Sequence, residues 1–359
     1  MSAPAPLTIS SERRVPFGPG VIVRRHPAWS FRLDARSLVV CALFLALTCA
    51  VFLASLASGT VPIPLREVID TLLGNGSGGN AMVILEWRAP RALLAALLGS
   101  ALAISGAIFQ SLTRNPLGSP DIIGFASGSY TGALVTMLLV GGGTAQVATG
   151  SLIGGIITAF LVFLLAYRGG VQGFRLIIVG IGVSAMLGAF NTWLILRANI
   201  EDAMRAGVWG SGSLNGLSVE QLWPVLAVLA VLVPLAVIAG PTLRQIELGD
   251  DAARALGTRP NVARLFLIVL GVALTALVTA VAGPIAFISL VAPQIARRLT
   301  RTAGVAILPS AVLGAFLLVS ADFLAQRLFA PVQLPVGILT VCVGGGYFVW
   351  LLVRESKRS

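Results

Sequence analysis

Long apolar runs recur along the chain with polar breaks between them, and the length of each run decides what it is. The first is Leu38–Leu56; others cover 91–111, 121–140, 146–166, 176–196, 221–240, 262–282, 283–298, 305–325 and 334–353. Hydrocarbon about 30 Å thick takes roughly 20 residues of helix, and lipid cannot satisfy an open strand edge. The runs therefore predict an all-α, polytopic membrane protein with about ten transmembrane helices. The run at 283–298 is short, and Gly283-Pro284 at its start reads equally as a turn or a kink. Between two runs lies a polar island, Leu243 to Arg264, with mixed charge and helix-forming residues. Its Asp251-Ala252-Ala253 core followed by Gly257 predicts a short helix stopped by glycine, a candidate docking surface for a soluble partner.

Composition removes the soluble alternative. With 57% hydrophobic and 11% charged residues in 359, no fold could hide that much apolar surface from water. A formal net charge of +11 would suggest nucleic acid in a soluble protein, but here its distribution points to membrane topology instead, and no nucleic-acid partner is expected. Twenty-four of the 25 basic residues are arginine, and the one lysine, Lys357, sits near the C-terminus. No Gly-x-x-x-x-Gly-Lys-Ser/Thr phosphate loop is therefore possible, and this chain does not bind ATP that way. Cys41, Cys49 and Cys342 lie in apolar runs and the sole histidine, His26, precedes them all, so neither a disulfide nor a metal site is expected. No nucleophile with a nearby base, His-Glu metal motif or paired carboxylates is evident, so no catalytic residue is assigned.

Residues 1–36 carry six arginines against Glu12 and Asp34 and are rich in Pro and Gly. They read as a disordered basic cytoplasmic tail, with 37–359 as the transmembrane domain. The first apolar run starts late and lacks a convincing cleavage site, so it is not read as a signal peptide. With the N-terminus inside and the spans alternating, 19 of the 25 basic residues fall on the cytoplasmic side, which the positive-inside rule favours. Both termini and the 243–264 island are then cytoplasmic. Small-xxx-small steps such as Gly128/Gly132 and Gly150/Gly154, with Gly99 and Gly106 in another span, predict close helix packing.

Several long motifs occur in one order. They are Glu86-Trp-Arg-Ala-Pro-Arg91, the hairpin from Ser105 to Gly124 containing Asn115-Pro116 and Ser119-Pro120, Leu248-Gly-Asp-Asp-Ala-Ala-Arg-Ala-Leu-Gly257, the stretch Ala282 to Arg298, and Gln333-Leu-Pro-Val-Gly337. From about residue 38 to the end the chain resembles the FecCD family of iron-siderophore and cobalamin ABC permeases. Phe174–Gly182, Ala189–Trp193 and Gly212–Leu217 resemble its ferric enterobactin branch. Gln294 is a departure, since the family usually has His after Ala-Pro there; a neutral hydrogen-bonding residue remains.

The resemblance implies a BtuC-like ABC importer permease in the cytoplasmic (inner) membrane, moving an intact ferric siderophore, enterobactin or another catecholate. A hydroxamate siderophore, haem or cobalamin is the alternative within the family. It implies a second FecCD-type permease subunit in a heterodimer, two cytoplasmic ATPase subunits carrying ATP and Mg, and a periplasmic or lipid-anchored siderophore-binding protein. No cofactor is implied on this chain itself. Gly249, Asp250, Asp251, Ala252, Ala253, Arg254 and Gly257 would form the ATPase-coupling loop; acids near the helix start suit its dipole, and Arg254 and Arg259 offer partners to the ATPase. Arg88, Arg91 and Arg327 would meet acidic residues of the binding protein. An anionic chelate needs a carboxylate-poor path, for which Asn191, Thr192 and Trp193 are candidates, with Asn191 equally suited to bonding between helices. Asp322, an acid inside an apolar run, costs about 2.5–3.5 kcal/mol on insertion scales and is expected to be satisfied by Arg327 or a backbone donor. An ion-coupled secondary transporter would rest on Asp322 alone, and a non-transporting scaffold or sensor is a third reading.

Overall fold

The computed structural model describes residues 21–26, 29–167, 173–302 and 304–356. Residues 1–20 of the expected tail, Arg168, Lys357 and Arg358 lie outside the described residues. The tail's later part departs from the expectation of disorder: β1 (Val21–His26) and β2 (Trp29–Asp34) pair antiparallel, Val21 opposite Asp34 and Val23 opposite Arg32. Val21, Ile22 and Val23 are all β-branched and Phe31 and Leu33 flank Arg32, a composition that suits strands and that the Pro, Gly and Arg content concealed.

Fourteen α-helices follow among the described residues. Asp34 caps α1 (Ala35–Ala57) by accepting a hydrogen bond from Arg36 N–H at 3.1 Å. Then come α2 (Leu65–Leu72), α3 (Gly78–Met82), and a π-helical turn over Val83–Arg88 that runs directly into α4 (Ala89–Thr113). Next are α5 (Phe125–Val135) with a π-helical extension to Val140, α6 (Thr144–Ala166), α7 (Gly173–Arg197) and α8 (Ile200–Gly210). The chain continues through α9 (Val219–Glu247), α10 (Asp250–Ala255), α11 (Pro260–Ala282), α12 (Ile288–Thr300), α13 (Ile307–Arg327) and α14 (Val336–Ser356). Among the described residues, seven helices are long and apolar enough to cross a bilayer, and Phe125–Val140 and Val336–Tyr347 are shorter apolar helices. Each of the ten expected runs corresponds to a helix.

The core gathers around α4 and α11, which are largely enclosed, whereas α1, α7 and α9 keep most of their surface uncovered. α4 touches α9, α11, α12 and α13, and small residues make that possible. A side chain at Gly99 would run into the Gly314 carbonyl of α13, and one at Gly106 into the Ser289 backbone of α12. Gly128 and Gly132 of α5 face Gly154 and Gly150 of α6 in the same manner, as the small-xxx-small spacing predicted. Ser105 Oγ donates to Gly271 O at 2.7 Å and lies 2.8 Å from Thr275 Oγ1, adding a polar bond between α4 and α11.

The 283–298 run is settled as a turn followed by a short helix. Gly283 has φ +73° and Phe287 φ +70°, and helix begins only at Ile288. Its 13 residues reach about 20 Å, less than the hydrocarbon thickness. The irregular backbone before it is enclosed by protein: Ser213 N–H donates to Ala282 O at 2.7 Å, Gly337 N–H to Gly212 O at 2.9 Å, and a side chain at Gly212 would strike Pro284 O. Non-helical chain at membrane depth is tolerated under just such cover.

Candidate coupling and docking faces

At one end of the bundle the island forms a bracket between α9 and α11. α9 runs on to Glu247, past the expected boundary at 240, and Gly249 at φ +114° turns the chain into α10. Gly257 at φ +85° ends it, with its N–H donating to Arg254 O at 3.0 Å and Thr258 N–H to Ala253 O at 2.9 Å; a residue with a Cβ is strained in that region. This is the short glycine-stopped helix expected from the sequence. Ala253 is buried against the bundle, while Asp251, Arg254 and the apolar Leu248 and Leu256 are exposed.

The two aspartates of α10 have different jobs. Asp251 stands in solvent and takes a 3.1 Å contact from Arg254. Asp250 is turned inward: Arg264 Nη1 donates to its Oδ2 at 2.9 Å, Arg264 Nη2 bonds its Oδ1, and Arg114 Nη2 lies 3.7 Å away. The Arg264 hydrogen bonds hold the Asp250 carboxyl below the usual carboxylate range against a partial burial cost, and Arg264, Arg114 and Arg254 add charge attraction. Asp250 therefore anchors α10 to α11 and to the end of α4 instead of offering a free charge.

Beside the bracket opens a cavity of about 820 Å³ whose walls include Arg114, Arg244, Glu247, Gln294, Arg297 and Arg298. Its rim and floor are strapped together by amides. Gln110 Nε2 donates to Leu290 O and Gln294 Nε2 to Pro116 O, each at 2.8 Å, tying α4 and the loop after it to α12. Gln294 thus performs a concrete bridging task with its amide. In the same loop Asp121 Oδ2 accepts from Ser289 Oγ of α12 at 2.5 Å.

At the opposite end of α4 stand the arginines assigned to binding-protein docking. Arg91 is not free: its Nε and Nη2 donate to both oxygens of Asp322 at 2.8–3.2 Å, and its Nη1 donates to Gln333 Oε1 at 3.1 Å. Asp322 also accepts from Gln326 Nε2 at 2.8 Å. The expected partner of Asp322, Arg327 or a backbone donor, is corrected to Arg91, a pairing across 231 positions that brings α4 and α13 together. Arg88 donates to Leu56 O and Val61 O, each at 2.7 Å, and uses the space left by Gly59. Arg327 lies near enough to Arg88 for electrostatic repulsion, and its Nε has no hydrogen-bond partner among the described residues.

The pathway candidates on α7 separate. Asn191 is buried and its Oδ1 accepts from Thr131 Oγ1 of α5 at 2.8 Å, so it bonds helix to helix. Thr192 and Trp193 are exposed. Thr192 Oγ1 donates back to Gly188 O at 3.0 Å, and Trp193 stacks on Phe190 at 5.7 Å with the Arg197 guanidinium 5.2 Å from its ring centre. Among the described residues no three His, Cys, Asp or Glu side chains form a metal-binding group.

The pattern of the FecCD transport family matches residues 47–354. The ferric enterobactin transport system permease protein FepG of Escherichia coli (strain K12) is 47% identical over 327 residues, 91% of this chain and 99% of that protein. The iron(3+)-hydroxamate import system permease protein FhuB of the same strain is 34% identical over 286 residues, which make up 78% of this chain and 43% of that protein. Among solved structures, a chain from an inward-facing metal-chelate type ABC transporter superposes with a TM-score of 0.77 at 27% identity, covering 88% of this chain and 99% of its own length.

Proposed function

The chain belongs to the FecCD transport family, and from that premise we propose that it is a membrane-spanning permease subunit of an ATP-driven importer of ferric siderophores, with ferric enterobactin or another catecholate chelate as cargo. One observation carries this reading: 47% identity to a ferric enterobactin permease across nine-tenths of the chain. The protein sits in the inner membrane with both termini and α10 in the cytoplasm, the side favoured by the arginine count. A second FecCD-type subunit completes the pathway; the longer hydroxamate permease supports pairing, since this chain covers only 43% of it. The chain is non-catalytic; two ATPase subunits bind ATP and Mg and grip α10 from below, while a periplasmic or lipid-anchored binding protein delivers the chelate from above.

In this scheme α10 transmits movement because both its ends are glycine hinges and Asp250 fixes it to Arg264 of α11. Exposed Leu248, Asp251, Arg254 and Leu256 form the contact face. At the outer end Arg88 and Arg327 are the docking cations, contributing about 0–1 kcal/mol each and setting orientation and encounter rate more than affinity. The ion-coupled alternative loses its one support, because Asp322 is clamped by Arg91 and is no free proton carrier. Uptake of radiolabelled ferric enterobactin, a ferric hydroxamate, haem and cobalamin into cells lacking this chain, with and without its return, tests the assignment. Restored enterobactin uptake that needs the partner ATPase is expected; restored uptake that survives loss of the ATPase and collapses with an uncoupler would reject it.

A further inference from the structure

The cavity beside α10 is chemically unbalanced. Arg244 of α9 and Arg297 and Arg298 of α12 line it, and among the described residues none of these three guanidinium groups has an acidic or carbonyl partner. Glu247, which accepts from Ser111 Oγ at 2.9 Å, supplies a single negative charge against the arginines of the lining. Gln110 lines the cavity while only 3% exposed, and its Oε1 accepts no hydrogen bond among the described residues. The walls therefore call for anionic groups, and the buried amide oxygen calls for a donor.

We propose that this cavity is a second grip for the ATPase subunit, seating an acidic segment of that protein whose carboxylates meet Arg244, Arg297 and Arg298 and whose N–H groups reach Gln110. The inference rests on the coupling role proposed for α10. Charge complementarity is one argument. Continuity is another: Leu248 belongs both to the exposed face leading into α10 and to the cavity wall, and Arg114 lines the cavity while lying 3.7 Å from Asp250. A polypeptide supplies anion and donor together, whereas a lipid phosphate or an anionic chelate answers chiefly the arginines. The position also suits force transfer. A carboxylate drawn onto Arg297 or Arg298 pulls on α12, the helix held to α4 through Gln110 and to the following loop through Gln294.

The test uses the permease pair in lipid nanodiscs and the purified ATPase subunit, with association measured at low and high salt. The triple variant R244E/R297E/R298E is expected to weaken association at least tenfold at low salt, with the gap narrowing at high salt, while binding-protein docking at the far face is unchanged. The milder R244Q/R297Q/R298Q is expected to shift affinity in the same direction by a smaller factor, guarding against a fold defect. Equal ATPase association by wild type and both variants overturns this inference and leaves the α10 coupling standing. No association by the wild type overturns the coupling role, and this inference with it. A loss confined to binding of anionic-lipid nanodiscs over neutral ones, or of ferric enterobactin, with ATPase association intact, also overturns it.

Discussion

Single side chains carry the main departures from expectation. The Arg91–Asp322 pair is enclosed, with side-chain exposures of 13% and 3%, so removing one partner strands a charge in a poor dielectric. R91A is expected to destabilise the protein by about 3–5 kcal/mol, whereas R91Q/D322N, which leaves no lone charge, is expected to recover most of that. Thermal unfolding of the purified protein in detergent or nanodiscs checks this, and equal losses for single and double variants would refute the pairing. Asp121, in the loop between α4 and α5, titrates where it matters physiologically. Burial raises its carboxyl to about 6, with Ser289 Oγ and the Phe287 N–H pulling the other way. The folded loop therefore holds the proton more tightly than the unfolded chain, whose aspartates titrate near pH ~4. The resulting stability is complete below about pH 4 and is lost as pH rises through about 6. D121N, permanently neutral, is expected to flatten the pH dependence of stability between those limits, as followed by unfolding temperature.

Among the elements, the glycine seams are where sequence and energy meet most directly. Gly132 of α5 lies against the Gly150 carbonyl, so G132A must push two backbones apart, at about 1–3 kcal/mol for overpacking. Gly182 of α7 has open space around it, and G182A is expected to be neutral or slightly stabilising. A comparison of their unfolding temperatures decides the point. The long spans were legible because twenty-residue apolar runs have one solution in lipid. α10 was legible because a glycine stop is a local signal. The helices α2 and α8 went unseen, although the start of α8 is marked by Asn199 accepting from Asp202 N–H at 2.8 Å; both are too short and polar to register as spans. The Arg91–Asp322 pair and the arginine cavity were illegible for another reason. Their members come from helices far apart in sequence, and charge spacing along one chain says nothing about which ends converge.

For the whole molecule, the uncovered apolar perimeter describes a subunit built for lipid, and the proposed assembly adds a neighbour and a soluble motor. α7 alone leaves Phe174, Met186, Trp193 and Leu196 exposed. Native mass spectrometry of the intact assembly is expected to give two permease-type and two ATPase subunits, and hydrolysis in proteoliposomes is expected to rise when the loaded binding protein is added. A lone chain showing full transport would contradict that composition.

The break before α12 bears on how the protein is made. Ser213 N–H bonds Ala282 O and Gly337 N–H bonds Gly212 O, so three stretches far apart in the sequence satisfy peptide groups for one another. The Gly212 carbonyl therefore gains its partner only once the start of α14 has been made, which leaves that acceptor to water or a neighbour until the last helix arrives.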